Sequence, residues 1–349
     1  MTQGSHTRQE IASQPQIWQA TLDKFAADRA ALAAFIAGVG FEQAVVIGCG
    51  STHYLSQTAA AILSHCGRVR ARPLPASELW LYPGAVPAGR TLLLAVSRSG
   101  ATTETVRAVA RFREVSSGPV VAVTCHADSP LAQQADFVLA APAAQEVSVA
   151  QTRSFTSMLV LSQALAATVG RDEGMVERLY RLPKALHDLM GRLDNLPERL
   201  GADGSIQRFF FLGGGPLHGL ACEAMLKTKE MSLSYAEAYY PLEFRHGPMS
   251  MVDGQTLVVG LLSDAGLAEE LGVLRHMQGL GARTLALVDD VRTLAGWQPD
   301  YTIELRSGLN EWERGPLCLP ALQLTAFHRA LHKGLNPDQP HNLTAVVTL

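Results

Sequence analysis

Short runs in the first half of the chain are apolar at nearly every position: AVVI at 44–47, TLLLAV at 91–96, VVAVT at 120–124 and FVLA at 137–140. Runs this brief, and apolar on both faces, fit central strands of a parallel sheet better than half-exposed strands. Between them, 54–65 (YLSQTAAAILSH) and 103–113 (TETVRAVARFR) carry apolar residues at helical spacing. Strand, loop, helix and strand in succession is the βαβ signature, so the expected class is α/β.

The pattern then recurs. RFFFL at 208–212 runs into Gly213-Gly214-Gly215, as AVVI runs into Gly48-Cys49-Gly50. TLVVGLL (256–262), TLALV (284–288) and YTIEL (301–305) follow in the order of the first-half strands. Gly213 stands 165 positions after Gly48, and Thr256 stands 165 after Thr91. Any two α/β domains share some pattern, but a constant offset points to tandem copies of one doubly wound fold. The expected layout is a helical lead-in at 1–40, a first domain at 41–170, linking helices at 171–202, a second domain at 203–335 and a tail at 336–349. Ser13-Gln14-Pro15 reads as a helix start, with Ser13 as the N-cap. The tail reads as polar, then extended, and a charged helix pair is expected in the link.

Composition narrows the class. Lys and Arg number 29 against 32 Asp and Glu, a formal net charge of −3. That balance lacks the basic excess expected of a nucleic-acid binder. No apolar run approaches the ~20 residues that span a bilayer, and the first residues lack a signal-peptide apolar stretch. Cys49, Cys66, Cys125, Cys222 and Cys318 are scattered without a CxxC pair. They read as buried thiols of a reducing compartment, and the expected location is cytoplasmic.

The run at 91–96 ends in Ser97-Arg98-Ser99-Gly100-Ala101-Thr102-Thr103, directly before a helix. Helix N-terminal N–H groups, the helix dipole and clustered hydroxyls suit a phosphate, and open α/β sheets bind ligands at strand carboxyl ends. The sequence is neither a Walker A loop nor GxGxxG, since His53 takes the third glycine's place after Gly48 and Gly50. Capping alone is the bland reading, but four hydroxyls around one glycine exceed what a cap needs. The second-half counterpart contains Asp264, which would repel a phosphate, so one anion site per chain is expected.

The second half has its own chemistry. Lys227 and Glu230 stand at i, i+3 on a helix expected over 220–233, and a loop then presents Glu243-Phe244-Arg245-His246-Gly247-Pro248. A Glu and a His are usual proton carriers at a sugar carbon. A solvated helical ion pair and a helix-end histidine are the bland alternatives. Glu237 and Glu243 read as surface carboxylates.

Six motifs together resemble a known family. GCGSTHY (48–54), SRSGATTET (97–105), EVSVAQTRSFT (146–156), LKTKE (226–230), AEAYYPLEFRHGP (236–248) and DQPHNL (338–343) stand in the order found in double sugar-isomerase (SIS) domain proteins. The chain is similar to the isomerase half of glucosamine–fructose-6-phosphate aminotransferase. The resemblance implies that Ser51, Thr52, Ser97, Arg98, Ser99 and Thr102 bind a sugar phosphate. It implies that Val149, Ala150 and Gln151 touch the sugar. Glu230 would transfer the proton between C1 and C2, His246 would open the ring from a neighbouring subunit, and Lys227 would sit in the active site.

Three departures matter. The chain begins Met1-Thr2, without the glutaminase domain that carries an N-terminal cysteine. Ala345 stands where the synthase has its Schiff-base lysine, and no lysine follows Lys333. Arg98 stands where the synthase has a glutamine. These favour the stand-alone deaminase and isomerase branch. The expectation is a homodimer with shared sites, acting on a hexosamine 6-phosphate as an aldose–ketose isomerase and deaminase. No cofactor, metal, nucleic acid or membrane is expected. The alternatives are a fructosamine-6-phosphate deglycase, a plain isomerase or assisted synthase, and a sugar-phosphate-binding regulator.

Overall fold

The computed structural model describes residues 3–347. The first sheet contains β1 (Gln43–Gly48), β2 (Arg70–Pro75), β3 (Thr91–Ser97), β4 (Val120–Thr124) and β5 (Phe137–Ala140). The second contains β6 (Arg208–Gly213), β7 (Tyr235–Tyr239), β8 (Thr256–Leu261), β9 (Arg283–Val288) and β10 (Tyr301–Glu304). The orders are β2-β1-β3-β4-β5 and β10-β9-β8-β6-β7, so reading the second from β7 gives the topology of the first. All pairings are parallel. Tandem α/β repetition is therefore the architecture.

The central strands β3, β4 and β8 are buried at every position, which is why their sequences show no polar alternation. Leu93, Ala95, Phe112 and Val120 belong to the core of the first sheet. Phe210, Phe244, Val258 and Leu274 belong to that of the second. Two strands escaped the hydrophobic pattern. Both β2 (RARPLP) and β7 (YAEAY) are sheet edges, where one side meets solvent and polar residues are tolerated.

The helix Gln14–Val39 begins where expected, with Pro15 in its first turn. Ser13 does not cap it through its side chain; its hydroxyl accepts from the Arg153 guanidinium at 3.0 Å instead. The expected linking pair is three helices, Glu173–Leu179, Leu182–Arg192 and Leu196–Ala202, with Pro197 in the first turn of the last. The tail forms turns rather than an extended strand among the described residues. Cys125, Cys222 and Cys318 are buried, but Cys49 and Cys66, at a loop and a helix end, are only half-buried. No helix among the described residues is long and apolar enough to cross a membrane.

The described chain divides into two compact units. One gathers residues 13–147, 151–183 and 344–347 and holds the first sheet. The other gathers 3–12, 148–150 and 184–343 and holds the second. The segment 148–150 joins the second-sheet unit through specific bonds. Ser148 donates its N–H to the Glu10 carboxylate at 3.3 Å, and Val149 donates to the Asp338 carbonyl at 3.1 Å.

Candidate active site

In the first-sheet unit, β3 delivers its last residue, Ser97, into a tight turn. Ser97 Oγ accepts from Gly100 N–H at 3.1 Å and lies 3.3 Å from Thr102 Oγ1. Ser99 Oγ accepts from Ala101 N–H at 3.2 Å. Gly100 has φ +61°, and a Cβ there would stand 2.0 Å from Ser129 Oγ, so both conformation and space demand glycine. Thr102 occupies the N-cap position of the helix Thr103–Val115 but makes no side-chain cap bond. Capping therefore does not account for its hydroxyl.

Arg98 is nearly buried, and its guanidinium is engaged. It pairs with Glu146 at 3.4 Å and donates to the Ala345 carbonyl at 2.8 Å. Thr103 N–H, at the helix start, donates to the Val347 carbonyl at 3.3 Å. Tail residues thus lie against the serine loop. Ser51 and Thr52 are buried at the start of the helix Ser51–His65. The Thr52 hydroxyl closes its own loop, accepting from Cys49 N–H at 2.9 Å and donating to Cys49 C=O at 3.0 Å. Gln151 belongs to this unit, and its buried Oε1 finds no partner among the described residues. A buried amide oxygen without a donor is costly, and a ligand hydroxyl would satisfy it.

In the second-sheet unit the helix His218–Ser232 carries Glu223, Lys227 and Glu230 along one face. Lys227 Nζ lies 3.4 Å from Glu223 Oε1 and donates to Glu230 Oε2. The exposures remove one reading of this pair, the solvated helical ion pair. The side chains of Lys227 and Glu223 are 1% and 0% exposed, so no solvated surface pair exists here. Glu230 keeps 19% of its surface open. Burial alone would lower the Lys227 pKa, but Glu223 and Glu230 outweigh it and raise the value above that of an ordinary lysine. The ammonium is thus held protonated beside a partly open carboxylate. Sequence reasoning missed Glu223. Its i−4 spacing from Lys227 was the available signal, but that spacing also describes countless surface pairs.

Val149 and Ala150 belong to the same unit. Ala150 packs with Ile11, Phe327 and Met231, the neighbour of Glu230. His246 follows the short helix Pro241–Phe244, whose Phe244 is anchored in the core. The His246 backbone donates to Glu243 C=O at 3.0 Å, but its exposed ring makes no hydrogen bond or ion pair among the described residues. The structure does not join His246 to Glu230 by a bond. Glu243 is exposed too, and Glu237 pairs with Lys229 at 3.6 Å. Another histidine emerges at the start of the helix: His218 stacks on Tyr240 with ring centroids 3.6 Å apart. Burial holds its imidazole below the ordinary value, and so neutral at physiological pH.

The second sheet's counterpart of the serine loop is already filled from within. Glu270 accepts Ser263 N–H at 2.7 Å and Ser263 Oγ at 2.9 Å. Glu311 accepts the N–H groups of Asp264 and Ala265. Asp264, expected to repel a phosphate, is held by the Arg314 fork at 2.7 Å on each side. A serine-loop cradle in one unit and a buried carboxylate–ammonium cluster in the other are the two chemical features of the fold.

Residues 41–168 match the SIS domain family. That stretch is an SIS domain. The second sheet repeats its topology, so the fold is that of two tandem SIS domains. Tagatose-6-phosphate ketose/aldose isomerase from Escherichia coli superposes with a TM-score of 0.88 at 26% identity, covering 99% of this chain and 96% of that one. Glucosamine-6-phosphate deaminase from Thermotoga maritima gives 0.80 at 25% identity, over 99% of this chain and all of that one. The glutamine–fructose-6-phosphate aminotransferase (isomerizing) of Sulfurisphaera tokodaii is 27% identical across 97% of this chain and 56% of its own length. The chain thus spans about half the length of the curated relatives it matches. These SIS relatives and neighbours include sugar-phosphate isomerases and deaminases.

Proposed function

We propose that the chain is a phosphosugar aldose–ketose isomerase that deaminates a hexosamine 6-phosphate. The observation that carries this is the buried Glu223–Lys227–Glu230 cluster, which holds a partly open carboxylate beside an ammonium. The serine loop holds the phosphate. His246, supplied by a second copy of the chain, opens the pyranose to its aldehyde. Glu230 removes the C2 proton, giving an enolamine, and returns a proton to C1. The product is a C2 imine, which water hydrolyses to a ketose 6-phosphate and ammonia. Positioned side chains move the protons up to the imine, after which water adds to C2 and the C–N bond breaks to release ammonia.

A deglycase would need a cationic or polar pocket for the amino-acid tail of its substrate, with Arg98 or Arg153 as the candidate cations. Arg98 is committed to Glu146 and Ala345, and Arg153 to Gln145 and Ser13. This favours the deaminase. Incubation with glucosamine 6-phosphate should release ammonia and fructose 6-phosphate in equal amounts. Aldose–ketose interconversion without ammonia would make the chain a plain isomerase. The shared site has its own test: Glu230→Gln and His246→Ala chains, each inactive, should recover part of the activity when mixed. No recovery after verified subunit exchange would place the whole site within one chain.

A further inference from the structure

We infer that the first-sheet unit carries a second anion site, for a small molecule bearing two or more linked phosphates. It is a cavity of about 510 Å³ lined by Arg68, Arg70 and Arg72. The strand register places it away from the serine loop. Arg70 pairs with Gln43 and Gln43 with Thr91, the first residue of β3, whereas the serine loop follows the last. The two sites therefore stand at opposite ends of one sheet.

Three observations converge there. No carboxylate lines the cavity, and none of its three guanidiniums forms an ion pair among the described residues. Other arginines of this unit do find acids: Arg111 pairs with Glu114, and Arg113 with Asp136 at 2.8 Å. The backbone is also built to hold the cluster. Arg70 and Arg72 are two apart on β2 and so project to the same side. Arg68 adopts φ +54°, a conformation usually left to glycine or asparagine where a helix ends. Ser64 Oγ accepts from Ala71 N–H at 3.1 Å and donates to Ala71 C=O at 3.3 Å, tying the helix end to the strand between the two arginines.

Edge protection explains arginines on β2, since charge blocks strand addition. It does not explain a cavity, or a third arginine in the left-handed region facing it. Three like charges within five residues repel one another, and a multivalent anion relieves that repulsion. Guanidinium forks bind phosphate oxygens two at a time, and the volume falls in the ~300–1,000 Å³ range of small-molecule sites. One orthophosphate would leave part of the cluster unmatched, so linked phosphates are the assigned class.

The experiment is calorimetric titration of tripolyphosphate into the full chain, wild type and Arg70→Ala/Arg72→Ala. The wild type should bind it with an affinity that falls with salt, and a saturating sugar phosphate should not displace it. The double variant should bind about tenfold more weakly or worse, given the usual strength of hydrogen bonds to charged groups. Its turnover without polyphosphate should match the wild type. Arg70→Lys/Arg72→Lys keeps the charge but loses the forks, and should fall between the two. Equal affinity in wild type and the alanine variant would overturn the site. So would displacement by sugar phosphate, which would place the polyanion on the serine loop.

Discussion

The two sheets share a topology and part company at the loop after the third strand. After β3, Ser97, Ser99 and Thr102 surround Gly100, and the N–H groups of Gly100 and Ala101 are held by serine hydroxyls rather than by carboxylates. After β8, Ser263 holds a similar turn, bonding Gly266 N–H at 2.9 Å, but Glu270 and Glu311 accept the remaining loop donors. Glu270 stands 165 positions after Thr105, and Glu311 165 after Glu146. Thr105 is uncharged. Glu146 turns instead to Thr152 N–H at 2.7 Å and Thr152 Oγ1 at 2.8 Å. A few side chains therefore separate a loop held by its own hydroxyls and met by tail carbonyls from one whose N–H groups are taken by carboxylates. Burial raises the Glu270 pKa and the Ser263 bonds lower it, with burial prevailing. The lesson is that a duplicated loop is satisfied by internal carboxylates, and in the proposed function the helix His218–Ser232 of the second-sheet unit supplies the proton carrier instead.

The sharpest way to break this division of labour is Glu230→Gln. Turnover should fall by ~10²–10⁴-fold, while sugar-phosphate affinity, read by calorimetry, should change little. Near wild-type turnover would return Glu230 to the role of a helical partner. Loss of binding would make it a positioning residue, with Glu243 the next candidate for the base.

Lys227→Met tests the same cluster through stability. It leaves Glu223 buried without its cation, a change that typically costs ~3–5 kcal/mol. Urea unfolding should show that loss in the second-sheet unit. A change under ~1 kcal/mol would mean that Glu223 is neutral or bonded elsewhere.

Matched serine variants compare the loops directly. Ser97→Ala/Ser99→Ala should raise KM by ~10–100-fold with kcat less affected, because hydrogen bonds to a charged phosphate are lost. Ser263→Ala should leave KM unchanged and lower stability by ~1–3 kcal/mol, because Glu270 loses its hydroxyl donor in a buried place. A KM effect from Ser263→Ala would erase the contrast between the halves.

The smallest expected effect is a pH dependence. The folded Lys227 pKa is raised, so the cluster's contribution is complete below the ordinary lysine value of ~10.4. It is lost as pH rises through the higher folded value. Wild-type urea midpoints should therefore fall above ~pH 10.4 more steeply than those of Lys227→Met. Parallel profiles would contradict the coupling.

Much of this was legible in the chain because burial wrote it there. Central strands are apolar on both faces, and the constant offset exposed the repeat. The edge strands β2 and β7 were not, since RARPLP mixes prolines and arginines with apolar residues and YAEAY mixes polar residues with alanines. The serine loop announced itself by crowded hydroxyls beside a glycine. Glu223, Glu270 and Glu311 gave no such signal. Each is a carboxylate in a helix, like many on a surface, and only the fold shows that it is buried, Glu223 against Lys227 and the other two against the loop after β8. Asp264 misled in the opposite way, since its charge is spent on Arg314, fifty residues downstream.

The central claim is that the serine loop alone takes the sugar phosphate. A crystal structure of the chain with a hexose 6-phosphate tests it most directly. The phosphate oxygens should lie ~2.7–3.2 Å from Ser97, Ser99 and Thr102, with Glu270 and Glu311 still bonded to the loop after β8. Sugar phosphate seated at Ser263–Gly266, with Glu270 displaced, would contradict the account.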